Sequence, residues 1–376
     1  MPVALLAIGG AVGALSLLCW FAVALRPDRA WDMRPVAEDE PAPPDPSSWP
    51  SVDVLVPARN ESAVLPRSLP ALLAQDYPGA WRVLVVDDRS SDGTASAASA
   101  ATVIPGAALP DGWTGKVWAM QQGAAASTAT YLLLTDADIL HAPTSLRRLV
   151  AESEAQGLAL NSRMARLRCE SPAERLLIPA FVWFFGLLYP MRRVNRPRSR
   201  CAAAAGGCVL LRRDALDRAG GFDSIRNEII DDVNLARRVK DSGGALRLSL
   251  SRADVRSLRE YPTLTTVWRM VRRTAFTELK HSWLRLAGVL LAMTLMFAAP
   301  PLLLAAGLAL AALEPRALIV AAAGLTSWAL LAALYRPAVR FFGLSGARAA
   351  SLPLVGALYG LMTIDSALRG GRRDWR

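Results

Sequence analysis

Long stretches without a single charged residue constrain this chain more than any other feature of its sequence. Val3–Leu25 is 23 residues long, Leu286–Leu313 is 28 and Ala317–Tyr335 is 19, and none of them contains Asp, Glu, Lys or Arg. About 20 apolar residues in a helix span the hydrocarbon core of a bilayer. These three runs therefore predict transmembrane helices, of which the last two form a hairpin. Ala349–Leu368 is a weaker candidate, because Asp365 interrupts it.

The first run has a second reading, as a secretory signal peptide. It lacks the basic segment that precedes the apolar part of such peptides, and no clear small-residue cleavage site follows it. We therefore interpret residues 1–26 as a retained transmembrane helix. Residues 27–50 are predicted to be a linker, since the stretch from Pro35 to Pro50 is rich in Pro, Asp, Glu and Ser.

Basic residues flank the apolar runs, and their distribution predicts an orientation. Arginines cluster after the first run, before the second and after the third. By the positive-inside rule, the region between the first two runs lies in the cytoplasm and the N-terminus outside. Arg372 and Arg373 in the tail conflict with a fourth full span. The sequence leaves open whether 349–368 crosses the membrane, re-enters it or lies along its surface.

Composition excludes several classes of protein. The mean hydropathy of +0.27 and the 53% hydrophobic content are too apolar for a disordered chain. Four cysteines without close spacing do not make a disulfide framework, and two histidines argue against a histidine zinc site. The net charge of +11 fits an anionic membrane face better than nucleic acid, because the basic residues border the apolar runs.

Between the membrane runs, short apolar strands alternate with helical patterns. Strands are predicted at Val52–Val56, Trp81–Val86 and Tyr131–Thr135, with helical spacing over Glu61–Gln75 and Val117–Ser127. Such alternation predicts an α/β fold with a mostly parallel, Rossmann-like sheet. The predicted catalytic domain covers residues 51–283, and residues 284–376 form a C-terminal membrane region with the spans 286–313, 317–335 and possible span 349–368.

Polar side chains follow each of the three predicted strands. The segments are Pro57-Ala-Arg59-Asn60-Glu61, Asp87-Asp88-Arg-Ser-Ser-Asp-Gly and Asp136-Ala-Asp138. Ligands of parallel sheets bind at the carboxyl ends of the strands, so these groups are expected to converge there. An Asp-x-Asp turn supplies oxygens for a hard cation, Mg²⁺ or Mn²⁺, which keeps positions open for phosphate.

These three motifs, in this order, resemble the GT-A domain of family 2 glycosyltransferases. The resemblance covers roughly Ser51–Leu279. The whole chain is similar to the hopene-associated glycosyltransferases of hopanoid-making bacteria. This closer similarity is carried by Trp113-Thr-Gly-Lys-Val-Trp118, Ala202–Cys208, Ile229-Ile-Asp-Asp232, Arg273-Thr-Ala-Phe-Thr277 and the C-terminal apolar hairpin.

The resemblance implies roles for individual residues in binding a nucleotide-diphosphate sugar. Pro57, Arg59, Asn60 and Glu61 would line the base and ribose. Asp88, with Asp87 beside it, would contact the base, expected to be uracil. Lys116 would meet the diphosphate, Asp136 would lie near the ribose and the metal, and Asp138 would ligate the metal. Gly206 and Gly207 would let the backbone approach the sugar or acceptor.

Asp231 and Asp232 are predicted to begin a helix, which acidic residues at this position also stabilise without any catalytic role. In family 2 enzymes the matching motif is usually Glu-Asp, so Asp231 departs from the pattern. The resemblance implies that Asp232 is the general base, which removes a proton from the acceptor hydroxyl as that oxygen attacks the anomeric carbon, with inversion.

Relatives that build polysaccharides carry a Gln-x-x-Arg-Trp motif near the membrane, and this sequence lacks it. The stretch in its place contains Arg272 and Arg273. Either they clamp the diphosphate or they are a basic anchor beside the membrane, and the sequence favours neither reading. The missing motif predicts transfer of one or a few sugars rather than growth of a long chain.

An aromatic stretch without charge, residues 176–191, contains Trp183 and Phe185. It is short for a span, and we expect an interfacial helix that guides a lipid acceptor, with a buried core helix as the alternative.

The sequence as a whole predicts a membrane-anchored inverting glycosyltransferase with a nucleotide-diphosphate sugar donor and a lipid acceptor. A hopanoid acceptor rests on family resemblance alone. A polyprenyl phosphate or glycerolipid acceptor is the alternative, and a nucleotidyltransferase or an inactive membrane scaffold fits less well. The expected location is the bacterial inner membrane, with the catalytic domain in the cytoplasm and no nucleic-acid partner.

Overall fold

The computed structural model describes residues 2–34 and 36–369, and the basic tail at Arg372 and Arg373 lies outside them. Its helices are α1 (Pro2–Ala24), α2 (Leu65–Leu73), α3 (Thr94–Ala97), α4 (Gly115–Ala125), α5 (Ser145–Gln156), α6 (Pro172–Leu188), α7 (Met191–Val194), α8 (Arg213–Arg218), α9 (Asp231–Asp241), α10 (Leu264–Glu278), α11 (Trp283–Met293), α12 (Ala299–Leu310), α13 (Ala317–Phe341) and α14 (Leu352–Arg369). Its strands are β1 (Val52–Ala58), β2 (Trp81–Asp87), β3 (Thr102–Pro105), β4 (Tyr131–Thr135), β5 (Ile139–His141), β6 (Leu160–Met164), β7 (Cys208–Arg212), β8 (Leu246–Leu250) and β9 (Val255–Ser257).

The described chain divides into two compact units. The helical unit contains the described residues up to Met33, then Cys169–Leu188, and the described residues from Tyr261 onward. The sheet unit contains the described residues of 34–168 together with Tyr189–Glu260.

The sheet unit is built on a seven-stranded sheet in the order β3-β2-β1-β4-β7-β6-β8. The strands β3, β2, β1 and β4 run parallel, as do β6 and β8, whereas β7 is antiparallel to both of its neighbours. The predicted mostly parallel sheet is therefore confirmed. The sequence predicted β1, β2 and β4, and it missed β3 and the strands β5 to β9.

One edge of this sheet gathers the ends of several strands. The parallel strands β1, β2 and β4 all finish there. Because β7 runs antiparallel to β4, its first residue Cys208 lies opposite Thr135, the last residue of β4. The loop that leads into β7 therefore reaches the same edge. A separate two-stranded sheet of β5 and β9 continues the chain just beyond β4.

Apolar strand residues form the core of the sheet unit, and one buried ion cluster interrupts it. Glu152 of α5 pairs with Arg163 of β6, and its other carboxylate oxygen lies 2.6 Å from Arg247 Nε. Asn161 donates a hydrogen bond to Glu152, and Arg163 donates to Asn161 and Ser249. Glu152 and Arg163 are almost completely buried, so each needs its partners to offset the loss of water.

The segment predicted as a linker is docked on the sheet unit from Val36 onward. A single oxygen of Glu38 accepts hydrogen bonds from the Ser251 hydroxyl and from the backbone amides of residues 252–254, at 2.8 to 2.9 Å. Burial acts to raise the pKa of Glu38, but these hydrogen bonds lower it to about 2. The segment is therefore a fixed strap on this unit and not a free spacer.

The helical unit contains most of the apolar helices. Five helices of the described chain are long and apolar enough to cross a membrane, namely Leu6–Ala24, Pro172–Val194, Trp283–Leu310, Ala317–Phe341 and Gly346–Arg369. A π-helical segment, Thr294–Ala298, joins α11 to α12 into one continuous rod. Three of the five coincide with the strongly predicted spans. The other two coincide with the weaker run 349–368 and with the aromatic stretch 176–191.

The aromatic stretch corrects one expectation, because Trp183 does not face a lipid headgroup layer. Its side chain is 0% exposed and stacks at 6.2 Å on Trp20, with Tyr335 edge-on at 5.4 Å. Another helix of the same unit bonds the backbone here, since the Tyr359 hydroxyl donates to the Leu177 carbonyl. Trp183 is therefore a packing residue of the helical unit. A polar substitution there would test stability and not lipid guidance.

Asp365, which interrupts the weakest apolar run, is held by partners within the helical unit. It accepts a hydrogen bond of 2.8 Å from the Trp268 indole and pairs with Arg272 at 3.5 Å and with Arg369 at 2.7 Å. These contacts explain how an acidic residue is accommodated in α14. They also give Arg272 a local structural partner.

We predict that Glu152→Gln lowers the free energy of unfolding by about 3 kcal/mol, because it leaves two buried or half-buried arginines without their carboxylate. Denaturant unfolding of the full chain in detergent measures this. The control is Asp214→Asn, which breaks exposed pairs with Arg212 and Arg218 and should cost less than about 1 kcal/mol. Equal losses in the two variants would contradict the importance of the buried cluster.

Candidate active site

The loops after β1 and β2 are tied to each other by side-chain hydrogen bonds. Asn60, which has a left-handed backbone (φ 56°), receives the Ser91 amide on its side-chain oxygen at 3.0 Å. The Glu61 amide donates to the Thr94 hydroxyl at 2.8 Å, and Asp92 accepts from Ser62. Hydrogen bonds with the loop after β2 thus fix the positions of Asn60 and Glu61, two of the predicted nucleotide-binding residues. Pro57 is buried within β1 itself.

Asp88 is buried directly after β2 and pairs with an arginine at the surface. It is 3% exposed, and exposed Arg59 lies 3.3 Å from its carboxylate. Burial raises the pKa of Asp88, and Arg59 acts against this rise. The Asp87 side chain instead accepts from the Ser90 amide at 3.2 Å and closes the turn. Gly106 packs against this turn, where a Cβ would lie 2.6 Å from the Asp87 carbonyl.

Lys116, in the first turn of α4, joins two of the predicted site motifs. Its ammonium lies 2.8 Å from Asp136, after β4, and 3.4 Å from Asp231, at the start of α9. Burial acts to lower the pKa of Lys116, but the two carboxylates outweigh burial and raise the pKa. Lys116 therefore stays protonated and positively charged between the Asp-x-Asp turn and the α9 N-terminus.

Asp138 is joined to the loop after β1 by an arginine that sequence reasoning missed. Arg259 Nε donates to Asp138 at 3.0 Å, and the same guanidinium donates to Glu61 at 2.7 Å. Burial raises the pKa of both carboxyl groups, and the Arg259 charge opposes the rise. Arg259 follows β9, whose pairing with β5 is what brings it to the Asp-x-Asp turn. No motif in the sequence signals this pairing.

Asp232 lies at the start of α9, as predicted, and reaches the glycine pair before β7. The Gly206 amide donates to Asp232 at 2.8 Å, and the Val233 amide donates to its other oxygen. Burial and the neighbouring charge of Asp231 raise the pKa of Asp232 to about 7, although Lys116 opposes this. A carboxylate with such a pKa can take up a proton near neutral pH.

The two predicted glycines have different surroundings. A Cβ on Gly206 would lie 3.2 Å from both the Asp232 carboxylate and the Lys116 ammonium, so a side chain here would press on the charged groups. Gly207 packs against Ile139, and its carbonyl accepts from Thr135. Gly206 is thus part of the charged cluster, and Gly207 helps to fix the start of β7 against the end of β4.

The carboxylates offer limited ligands for a divalent ion. Among the described residues, no group of three or more His, Cys, Asp or Glu side chains is arranged to hold a metal. The predicted pair, Asp136 and Asp138, provides oxygen ligands of the kind that Mg²⁺ and Mn²⁺ prefer. Such a site fits an ion that takes its other ligands from phosphate and water. His141 is buried and both of its ring nitrogens bond to hydroxyl groups of Thr135 and Ser145, so neither nitrogen points to this site.

Arg272 and Arg273, which the sequence left between two roles, lie on α10 of the helical unit. The pairing of Arg272 with Asp365 supports a structural role for this residue. Within the sheet unit, the cations of the charged cluster are Lys116 and Arg259, and Arg59 lies beside Asp88.

Part of the sheet unit matches a known protein family. Residues 53–220 match the family model described as Glycosyl transferase family 2. An N-acetylglucosaminyltransferase of Mesorhizobium japonicum is 29% identical over 181 residues, which is 46% of this chain and 42% of that protein. The chain therefore spans less than half the length of this curated relative.

A solved structure extends the similarity to most of the chain. The mannosyltransferase PcManGT from Pyrobaculum calidifontis, determined with GDP-Man and Mn²⁺, aligns with 85% of this chain and 97% of its own, at a TM-score of 0.55 and 21% identity. This likeness shows the fold. The GT-A fold implied by the sequence resemblance is confirmed.

We predict a pH-dependent difference in the free energy of unfolding between Asp232→Asn and the wild type. The value for the variant minus the value for the wild type should be larger at pH 8 than at pH 5. The folded protein keeps a proton on Asp232 up to about pH 7, whereas the unfolded chain loses it near pH 4. Wild-type stability therefore falls as the pH rises between these values, and asparagine has no such loss. The difference in unfolding free energy should grow by about 2 kcal/mol, measured by denaturant titration at both pH values.

Asp214→Asn is the control for this pH test. The pKa of Asp214 is lowered, because hydrogen bonds from Arg218 and Arg212 outweigh a burial effect that acts to raise it. Its contribution is therefore fully present above pH 4 and constant between pH 5 and 8. A difference for Asp232→Asn that is equally flat would show that this carboxyl group is ionised throughout the range.

Proposed function

We propose that this protein, whose residues 53–220 carry a glycosyltransferase family 2 domain, is a membrane-anchored inverting glycosyltransferase. It transfers a sugar from a nucleotide-diphosphate sugar, UDP-linked, to a lipid acceptor. One observation carries the proposal: Lys116 joins Asp136, after β4, to Asp231 at the start of α9, and Asp232 beside them binds Gly206. The groups that would bind the donor and accept the proton thus lie in one charged cluster.

The donor would bind across the carboxyl ends of β1, β2 and β4. Buried Asp88 would accept from the uracil ring, with Arg59, Asn60 and Glu61 around the base and ribose. Lys116 would stabilise the negative charge that develops on the leaving diphosphate. Its raised pKa supports this role, because the ammonium remains charged at any physiological pH.

Asp232 would act as the general base. Its two oxygens already accept hydrogen bonds from backbone amides, which fixes the direction of the carboxylate. With a pKa of about 7, the group is basic enough to receive the proton of an acceptor hydroxyl during attack on the anomeric carbon. Asp231, on the same first turn, would keep Lys116 in place.

A divalent ion, Mg²⁺ or Mn²⁺, would be held by Asp138 and Asp136. When bound, such an ion neutralises charge on the diphosphate. Arg259 pairs with Asp138 and Glu61, and Lys116 pairs with Asp136. The protein's own cations thus keep the carboxylates in position for the donor.

The lipid acceptor follows from the membrane character of the chain. The described residues contain five helices that are long and apolar enough to cross a bilayer by length and composition, which supports an acceptor that resides there. The hopanoid acceptor rests on sequence resemblance, and a polyprenyl phosphate or a glycerolipid is the alternative. The location we propose is the bacterial inner membrane, with the sheet unit in the cytoplasm, where nucleotide sugars are available.

The test incubates the purified full chain with Mn²⁺, labelled UDP-sugars and extracted membrane lipids. We expect labelled lipid from the wild type and at least about a hundredfold less from Asp232→Asn, since a general base contributes about that much. Asp138→Ala should lose activity comparably. The exposed control Asp214→Asn should keep wild-type rates. Labelled lipid formed at an undiminished rate by Asp232→Asn or Asp138→Ala would refute the proposed mechanism.

A second prediction concerns Gly206. Alanine there brings a methyl group to 3.2 Å from both Asp232 and Lys116, so these groups must move by a few tenths of an ångström. We expect kcat/KM to fall about tenfold or more, with little change in thermal stability. The control is Gly288→Ala, where the new methyl group meets nothing within 4 Å. Similar rates for the two variants would argue against a catalytic position for the Gly206 amide.

A further inference from the structure

A run of arginines between α7 and β7 has no role in the site described above. We call residues 195–200 the arginine loop. The side chains of Arg196, Arg198 and Arg200 in this loop are exposed. They make no ion pair with any residue that the structure describes. The sequence contains no Asp or Glu between Glu174 and Asp214. The positive charge of this loop is therefore not neutralised locally.

Hydrogen bonds fix the two ends of the arginine loop. The Lys240 ammonium donates to the carbonyls of both Val194, at 2.6 Å, and Cys201, at 2.8 Å, and so holds the two ends of the loop together. The Asn195 side chain makes two further hydrogen bonds with the backbone of Leu248 in β8. The exposed arginines are thus presented on a fixed support.

The position of the loop in the chain indicates its partner. The apolar stretch Pro172–Val194, one of the five candidate spans, ends where the loop begins. Leu188 near its end is 59% exposed. Because β6 before this stretch pairs with β7 after it, both ends of the stretch lie on the same side of a bilayer. Basic residues directly beside such an apolar segment lie at the depth of the lipid headgroups. Arginine binds phosphate oxygens in pairs through its planar guanidinium.

We propose that the arginine loop docks on an anionic membrane surface by binding the phosphate groups of acidic lipids. The proposal goes beyond sugar transfer. It rests on the membrane anchoring of the proposed function but not on catalysis. Each arginine near such a surface contributes roughly a fivefold gain in association. Three together bind on the order of a hundred times more strongly to an acidic than to a neutral bilayer.

The arginine loop and the charged cluster are connected through one helix, α9. Lys240, which holds the base of the loop, lies in the last turn of α9, and Asp232 lies in its first turn. The chain from Val194 to Gly206 is fastened to α9 at both of these points. A membrane contact at the arginine loop therefore orients the segment that carries the Gly206 amide.

The experiment reconstitutes the full chain in nanodiscs of phosphatidylcholine, with or without phosphatidylglycerol, and follows amide hydrogen exchange of residues 196–200. We expect exchange to slow by about tenfold or more with phosphatidylglycerol and to recover at high salt. The variant with Arg196, Arg198 and Arg200 all changed to Gln should show no such slowing. A variant with the exposed arginines Arg67, Arg218 and Arg237 changed to Gln removes the same charge elsewhere and should behave as wild type.

Three results would overturn the proposal. They are equal exchange in neutral and acidic nanodiscs, equal loss of protection in both triple variants, and equal protection by inorganic phosphate added to neutral nanodiscs. The last would mean that the loop binds free phosphate and not a surface. Because no step of the experiment depends on sugar transfer, its failure is distinct from failure of the proposed function.

Discussion

Ion pairs between partly buried carboxylates and two cations hold the carboxyl edge of the sheet together. Glu61, Asp136, Asp138, Asp231 and Asp232 come from three separate parts of the chain. Carboxylates gathered in a partly buried place repel one another and lose hydration, so such a cluster is stable only with positive charge among them. Two side chains, Lys116 and Arg259, supply that charge by bridging carboxylates from different loops. The geometry of the site depends on these bridges.

Much of this arrangement follows from the sequence. The strands β1, β2 and β4 are apolar runs that end in polar residues, and parallel pairing brings such ends together. The start of α9 at Asp231 was also predictable, from two acidic residues ahead of the apolar face that Val233 and Leu235 begin. These features depend on local pattern and on the period of secondary structure, which the sequence displays directly.

Other features depend on long-range pairing, which the sequence does not display. Arg259 reaches Asp138 only because β9 pairs with β5, two three-residue strands more than 110 positions apart. The strap at Glu38 looked like a linker, since its composition is polar, yet its carboxylate binds backbone amides that only the folded chain brings near. Trp183 looked interfacial because aromatic residues occur both in headgroup layers and in cores, and only its packing against Trp20 distinguishes them.

The proposed function requires that the charged cluster at the carboxyl edge of the sheet forms one nucleotide-binding site. The most direct measurement is an experimental structure of the full chain with UDP and Mn²⁺. It is expected to show the diphosphate within hydrogen-bond distance of the Lys116 ammonium and the uracil against Asp88, with Asp138 and Asp232 facing the same cleft. A nucleotide bound away from Lys116, or a structure in which Asp88, Asp138 and Asp232 line unconnected surfaces, would contradict the account.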